Sequence, residues 1–134
     1  MNIGGMEVGR GHPVFTICDL SANHLQSFSR AVDLIFKARL AGTSACKLQI
    51  YSPERMAIRR GGSVDAVCTE EPWAGRKFLD LYREAQTPRE WYPELSQFHS
   101  CLFASVFDVE DIEFLNLFDP PAWKSPRAKP PTLI

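Results

Sequence analysis

The chain has 134 residues, 45% of them hydrophobic and 23% charged, with a formal net charge of −1. That balance suits one soluble globular domain with a core of its own, and the scattered Lys and Arg form no basic stripe for nucleic acid. No apolar run approaches the ~20 residues of a membrane span, and the Gly-rich start, residues 1–11, lacks the apolar centre of a secretory signal.

Taken in chain order, residues 14–20 read as a short buried strand that breaks into a polar turn, with Asp19 near its end. A helix is expected at 27–40, where Phe28, Ala31, Val32, Ile35 and Ala38 share one face. Gly42 is placed to stop it. Residues 45–51 alternate, with Cys46, Leu48 and Ile50 on one side and Lys47, Gln49 and Tyr51 on the other. A connection follows at 52–72, about 20 residues and longer than an ordinary βα loop. The next helix, 74–85, aligns Phe78, Leu81, Tyr82 and Ala85. Thr87-Pro88-Arg89-Glu90 has the pattern of a helix start with Thr87 as N-cap, and that helix carries Trp91, Leu95 and Phe98. Residues 102–106 read as a third strand. Asp108 is placed to cap a helix that buries Ile112, Leu115 and Phe118. Residues 122–124 begin a fourth strand, and the Pro-rich residues 125–134 read as a disordered tail.

Strands alternating with helices imply a parallel sheet with right-handed crossovers. A complete (β/α)8 TIM barrel needs ~250 residues, and at least ~200. The fold class expected is therefore α/β, a partial barrel of the first three to four βα units, or a small open sheet if the chain folds alone. The four cysteines, Cys18, Cys46, Cys68 and Cys101, form no C-x-x-C pair and are expected as reduced thiols in a cytoplasmic protein.

In such folds ligands meet the carboxyl ends of the strands, which singles out Asp19. A hydrogen bond to a neighbouring loop is its structural alternative. Lys47 and Gln49 face inward on the second strand. A lysine there supplies a fixed positive charge for a phosphate or carboxylate, or simply pairs with Asp19; residue chemistry leaves both readings open. The spacings of His12, His24 and His99 fit no zinc site. His24 is expected to build the turn before the first helix, His12 to sit in a leader loop and His99 to face solvent. Trp73, Trp91 and Trp123 each lie beside an amphipathic element and read as packing residues.

Several motifs carry a family resemblance. Asp19-Leu20-Ser21-Ala22-Asn23-His24 resembles the first motif of the sialic and pseudaminic acid synthases, Glu-(Ile/Leu)-(Gly/Ser)-x-Asn-His. Its Leu-Ser-Ala-Asn-His form and the lead-in Val8-Gly9-Arg10-Gly11-His12-Pro13 are similar to the pseudaminic branch. Cys46-Lys47-Leu48-Gln49-Ile50-Tyr51 resembles the second motif, Lys-(Leu/Phe)-Gln-Thr-Tyr. The run from Trp73 to Trp91 is similar to one typical of pseudaminic acid synthases. Phe103-Ala104-Ser105-Val106-Phe107-Asp108 resembles Phe-Ser-(Ser/Thr)-Pro-Phe-Asp, and Pro121-Ala122-Trp123-Lys124 resembles Pro-Ala-Tyr-Lys. The resemblance spans residues 5–124.

It implies the N-terminal half of a barrel enzyme of carbohydrate biosynthesis. Such an enzyme condenses phosphoenolpyruvate with an acetamido sugar to a nonulosonic acid. The pseudaminic acceptor is a 2,4-diacetamido-trideoxy hexose; the sialic alternative is N-acetylmannosamine. Asp19 would be the catalytic carboxylate, and Lys47, Gln49, Ser105 and Lys124 would bind substrate. A divalent metal, manganese or magnesium, is implied, with its ligands outside this chain. No nucleic acid or membrane partner is implied; a homo-oligomer or a missing C-terminal half is. The chain departs from the pattern at Asp19 (Glu in the family), Ile50, Ala104 and Val106, in a connection before Leu102 about four residues short, and in lacking the family's continuation after Lys124. The isolated chain is therefore expected to be marginally stable and inactive, and a non-catalytic fragment is the alternative reading.

Overall fold

The computed structural model describes residues 1–125; apart from Ser125, the expected Pro-rich tail lies outside them. In chain order the elements are β1 (Asn2–Ile3), β2 (Met6–Glu7), β3 (Ile17–Asp19), α1 (Phe28–Leu40), β4 (Ala45–Ile50), α2 (Pro53–Gly61), α3 (Phe78–Ala85), α4 (Tyr92–Leu95), β5 (Leu102–Val106), α5 (Val109–Asn116) and β6 (Trp123–Lys124). Short 3-10 turns, Arg89–Trp91 and Ser96–Phe98, flank α4. Strands β3-β4-β5-β6 form one four-stranded sheet in chain order. Every neighbouring pair is parallel. Each crossover therefore steps to the adjacent strand, as in the wall of a (β/α)8 barrel.

Alternation along β4 decides what each face does. Cys46, Leu48 and Ile50 are fully buried beside Leu102, Ala104 and Val106 of β5, against Ala31 and Ile35 of α1, Tyr92 and Leu95 of α4, and Leu115 of α5. Burial pushes the Cys46 thiol up to about 11, so it packs as a small hydrophobe. All four cysteines are free. Helix α1 begins where the Ser27 hydroxyl accepts from the Arg30 N–H at 3.3 Å. It ends at Gly42, whose φ of 78° only glycine adopts without strain.

Four local expectations give way. The first strand is shorter than 14–20 and is not buried: Val14 is 85% exposed, and β3 is an edge of the sheet among the described residues. The stretch 52–72 is not all loop, since Ser52-Pro53 starts α2, the Ser52 hydroxyl accepting from the Arg55 N–H. That N-cap followed by Pro at N1 was a readable signal. The helix at 74–85 begins only at Phe78, and none of its residues is fully buried. Thr87 does not cap a helix, because its N–H is spent on the Gln49 carbonyl at 3.0 Å and its hydroxyl on His24.

The leader also differs from expectation. Gly4 and Gly5, both at positive φ, close a β1–β2 hairpin of the Gly-Gly kind. It lays Ile3 and Met6 on Ala45, Cys101 and Phe103. A Cβ at Gly4 would sit 2.9 Å from the Cys101 Sγ. His99 is buried rather than solvent-facing, its Nδ1 accepting from the Cys101 N–H at 3.1 Å across the short connection into β5. Trp91 packs edge-on to Phe28 and His24 as a core aromatic. Trp73 and Trp123 do not pack this way, at 51% and 44% exposed.

Leu48→Ala, at the fully buried centre of β4, is expected to cost about 2–5 kcal/mol by opening a cavity that the paired strands cannot collapse. Val14→Ala is expected to stay within about 0.5 kcal/mol of the parent. Urea unfolding of the three proteins measures both differences.

Candidate active site at the carboxyl ends of the strands

The parallel register carries the second face of the sheet. Asp19 pairs with Lys47, Lys47 with Phe103, Gln49 with Ser105, and Ser105 with Lys124. Paired residues in a parallel ladder point to the same side. All five residues singled out from the sequence therefore share the face opposite the helices, on two successive rungs.

On the lower rung the Lys47 Nζ lies 2.6 Å from the Asp19 Oδ2, with the Lys47 side chain 15% and the Asp19 side chain 44% exposed. The pair lines an open depression of about 650 Å³, together with Lys124, Phe103 and Trp123. On the upper rung Ser105 is buried, and the Gln49 Nε2 donates to the Ser21 hydroxyl at 3.4 Å. The structure thus gathers Asp19, Lys47 and Lys124 around one space and sets Gln49 and Ser105 beside it. Asp19 is not a buried charge, which removes the desolvation cost it would otherwise carry. Its ion pair with Lys47 realises the structural alternative for Lys47; its own alternative, a bond to the neighbouring loop, is met by the Ser21 N–H. A lysine ammonium has three donors, so the pair leaves two for a ligand.

The turn after β3 is held in an unusual shape. The Asp19 Oδ1 accepts from the Ser21 N–H at 3.1 Å. Ser21, Leu25 and Gln26 all take positive φ, a conformation that non-glycine residues hold only when their surroundings impose it. His24 supplies part of that constraint, as expected of a turn builder. It is fully buried, and its Nδ1 accepts from the Gln26 N–H at 3.2 Å. The proton therefore sits on Nε2, which donates to the Thr87 hydroxyl at 3.3 Å. Burial holds its pKa below the ordinary 6.5. Sequence reasoning missed this contact, because nothing local links positions 24 and 87. Among the described residues no three His, Cys, Asp or Glu side chains gather as a metal site. His24 and His99 spend their Nδ1 atoms on backbone N–H groups. The residues present do not fit the implied divalent metal.

A strand-end face with two lysines, a carboxylate, an amide and a hydroxyl lies where parallel α/β folds meet their ligands. Comparison with known proteins narrows this. The sequence model of the NeuB family matches residues 34–129, and the chain belongs to that family. It is 38% identical over 128 residues to the pseudaminic acid synthase of Campylobacter jejuni, covering 92% of this chain and 36% of that protein. It is 28% identical over 123 residues to the Helicobacter pylori pseudaminic acid synthase, covering 84% of this chain and 34% of that protein. The chain therefore spans about a third of the length of these relatives. The fold matches the N-acetylneuraminic acid synthetase of Leptospira borgpetersenii with a TM-score of 0.70 at 22% identity, over 90% of this chain and 38% of that one. It matches the Bacillus subtilis spore coat polysaccharide biosynthesis protein SpsE with a TM-score of 0.67 at 24% identity, over 93% and 32%. These likenesses bear out the partial-barrel expectation.

Two outcomes follow. Asp19→Asn is expected to cost on the order of 1 kcal/mol in urea unfolding, since the exposed carboxylate is screened and the Asn carbonyl still offers the largely buried Lys47 ammonium an acceptor. The His24 shift sets a pH dependence. With the folded pKa depressed below 6.5, the unfolded chain binds a proton that the folded chain refuses, so stability rises with pH in that window. Stability is complete above 6.5 and declines as pH falls from there towards the lowered folded value. His24→Gln is expected to flatten that decline; equal slopes for variant and parent between pH about 7.5 and 5.5 would rule the assignment out.

Proposed function

We propose that this chain forms part of a pseudaminic acid synthase, condensing phosphoenolpyruvate with a 2,4-diacetamido-trideoxy hexose to a nonulosonic acid. The observation that carries the reading is the shared face of Asp19, Lys47, Gln49, Ser105 and Lys124, in a chain 38% identical to a pseudaminic acid synthase. The same identity favours the diacetamido acceptor over N-acetylmannosamine.

In this reaction C3 of phosphoenolpyruvate forms a bond to the aldehyde carbon of the open-chain sugar. Water adds at C2, the carbon–oxygen link to phosphate is lost, and inorganic phosphate leaves. Phosphate and carboxylate need cations, and Lys47 and Lys124 supply them from one side of the depression. The Ser105 hydroxyl and the Gln49 amide add neutral donors on the adjacent rung. Asp19 orients the sugar or the water; as Asp rather than Glu it reaches one methylene less, so its grip depends on the tight turn at Ser21. The resemblance implies a divalent metal, which acts as a Lewis acid where it is bound. The described residues supply no donor set for it. Among the described residues no helix is long and apolar enough to cross a membrane. Four free cysteines support a cytoplasmic setting for this chain.

Phosphoenolpyruvate titrated into the chain by calorimetry is expected to bind, more weakly as salt rises. Lys47→Met is expected to weaken it by roughly tenfold or more, the loss of one charge-assisted contact. Equal affinity for parent and variant would sink the role given to Lys47.

A further inference from the structure

Cys18 and Cys46 are register partners. They pair directly on the adjacent parallel strands β3 and β4, one position before the Asp19–Lys47 pair. Side chains that pair in a parallel ladder lie on the same side of the sheet. Both sulfurs therefore lie on the helix-covered face, where Cys46 belongs to the main core and Cys18 packs against it. Burial is what chiefly holds the Cys46 thiol protonated, and the Cys18 thiol beside it adds to the effect. The other two cysteines stand apart. Cys101 gives its carbonyl to the Cys46 N–H at 3.0 Å, yet its side chain lies on the opposite face, packed with Ala45 and Phe103 under the β1–β2 hairpin. Cys68 lies in the connection after α2, its thiol donating to the Glu70 carbonyl at 3.5 Å.

The facing pair meets the main requirement of a disulfide. Adjacent strands run about 4.8 Å apart, which puts paired Cα atoms inside the roughly 4.4–6.8 Å window of such a bond. The Cβ atoms have to close to about 4.5 Å or less, so one strand must roll slightly toward the other. That movement falls to β3, which pairs over only Ile17–Asp19 and is an edge of the sheet among the described residues. Strand β4 is held between two neighbours. Access is unequal as well. Cys18 is partly exposed, whereas Cys46 is fully buried. One sulfur meets an oxidant from solvent and the other stands behind it, the arrangement of a reactive thiol with a resolving partner.

We propose that Cys18 and Cys46 form a peroxide-responsive thiol pair that closes to a disulfide between β3 and β4. The Cys18 sulfur attacks one oxygen of hydrogen peroxide. A sulfur–oxygen bond forms, the oxygen–oxygen bond breaks, and water leaves with the thiol proton, giving the Cys18 sulfenic acid. The Cys46 sulfur then attacks the Cys18 sulfur. The sulfur–sulfur bond forms as the sulfur–oxygen bond breaks, and the departing hydroxide takes the Cys46 proton as water. Two thiols and one peroxide thus become one disulfide and two waters, and an excess of a reducing thiol reverses the change by exchange. The bond closes the segment 18–46, with α1 inside it, and leaves the unfolded chain fewer conformations. It fastens the edge strand that carries Asp19 to the strand that carries Lys47 and touches neither side chain. The pair is a modification site on the face opposite the ligand end, and it stands independently of the condensation proposed above.

Hydrogen peroxide added to the purified chain, followed by alkylation of the remaining thiols in urea and peptide mass mapping without reductant, reads the linkage directly. A monomer with one bond, Cys18 to Cys46, is expected, and dithiothreitol is expected to open it. Closing the bond is expected to raise the urea midpoint by on the order of 1 M over the reduced chain. Cys18→Ser alters a partly exposed position; its midpoint is expected to match that of the reduced parent and to stay unmoved by peroxide. Cys46→Ala keeps the buried position apolar, and there peroxide is expected to leave oxygen on Cys18 with no linkage. In the parent, oxygen on Cys18 with Cys46 still open to alkylation overturns the proposal. So does a bond from Cys46 to Cys101, a bond between two copies through Cys18, or the mixture of linkages that the urea-unfolded chain gives. A midpoint that falls on closure overturns the fastening of β3 to β4.

Discussion

The parallel pairing of β4 with β3 on one side and β5 on the other is the constraint from which the remaining features follow. Because side chains alternate along a strand, one register assigns Cys46, Leu48 and Ile50 to the helices and Lys47 and Gln49 to the opposite face. A slip of one residue would drive Lys47 into the apolar core, where an unpaired ammonium is too costly to hold. The hydrophobic requirement of the core thus fixes the position of the polar face. Asp19, Ser105 and Lys124 join Lys47 there because their own strands obey the same rule.

Above the sheet, the ligand end is organised by polar contacts rather than by burial. Arg59 reaches from α2 to the loop after β5, Gln26 reaches from the turn after β3 to the end of α3, and His24 closes on Thr87. Asp111 shows how such contacts are kept affordable. It is fully buried, yet it accepts from the N–H groups of Phe107 and Asp108 and is paired with Arg89. A buried carboxylate with every partner in place orders the loop after β5; one with a partner missing would weaken it. Strained backbone at Ser21, Leu25 and Gln26 is tolerated for the same reason, since the surrounding bonds leave the turn no relaxed alternative.

The helical hairpin on α2 and α3 separates this chain from a bare strand–helix repeat. An ordinary βα crossover would run from β4 straight into the helical stretch that covers it, 89–98. Here the excursion 52–87 is inserted at the ligand end and anchored to both neighbouring loops. An insertion there changes what the site admits without disturbing the sheet, which is why barrel folds vary their chemistry through these loops.

Much of this was legible in the residues. The apolar period of α1 with its stop at Gly42, the alternation of β4, the third strand and the order of the motifs all express local rules of backbone and burial, and the structure keeps them. Of the five candidate site residues, strand ends and alternation mark Asp19, Lys47 and Gln49, while Ser105 and Lys124 are singled out by the family resemblance. The start of α2 was also written locally, in Ser52-Pro53, and so was the Gly4-Gly5 hairpin; both were overshadowed by the Gly-rich and charged composition around them. What the residues alone did not carry were contacts between distant segments. Thr87 looks like a helix cap until Gln49 and His24 claim its polar groups. His99 looks solvent-facing until the short connection to Cys101 folds it inward. A side chain's local preference is worth about 1 kcal/mol, and a buried polar group left unpaired costs as much or more. Where the two compete, tertiary structure decides.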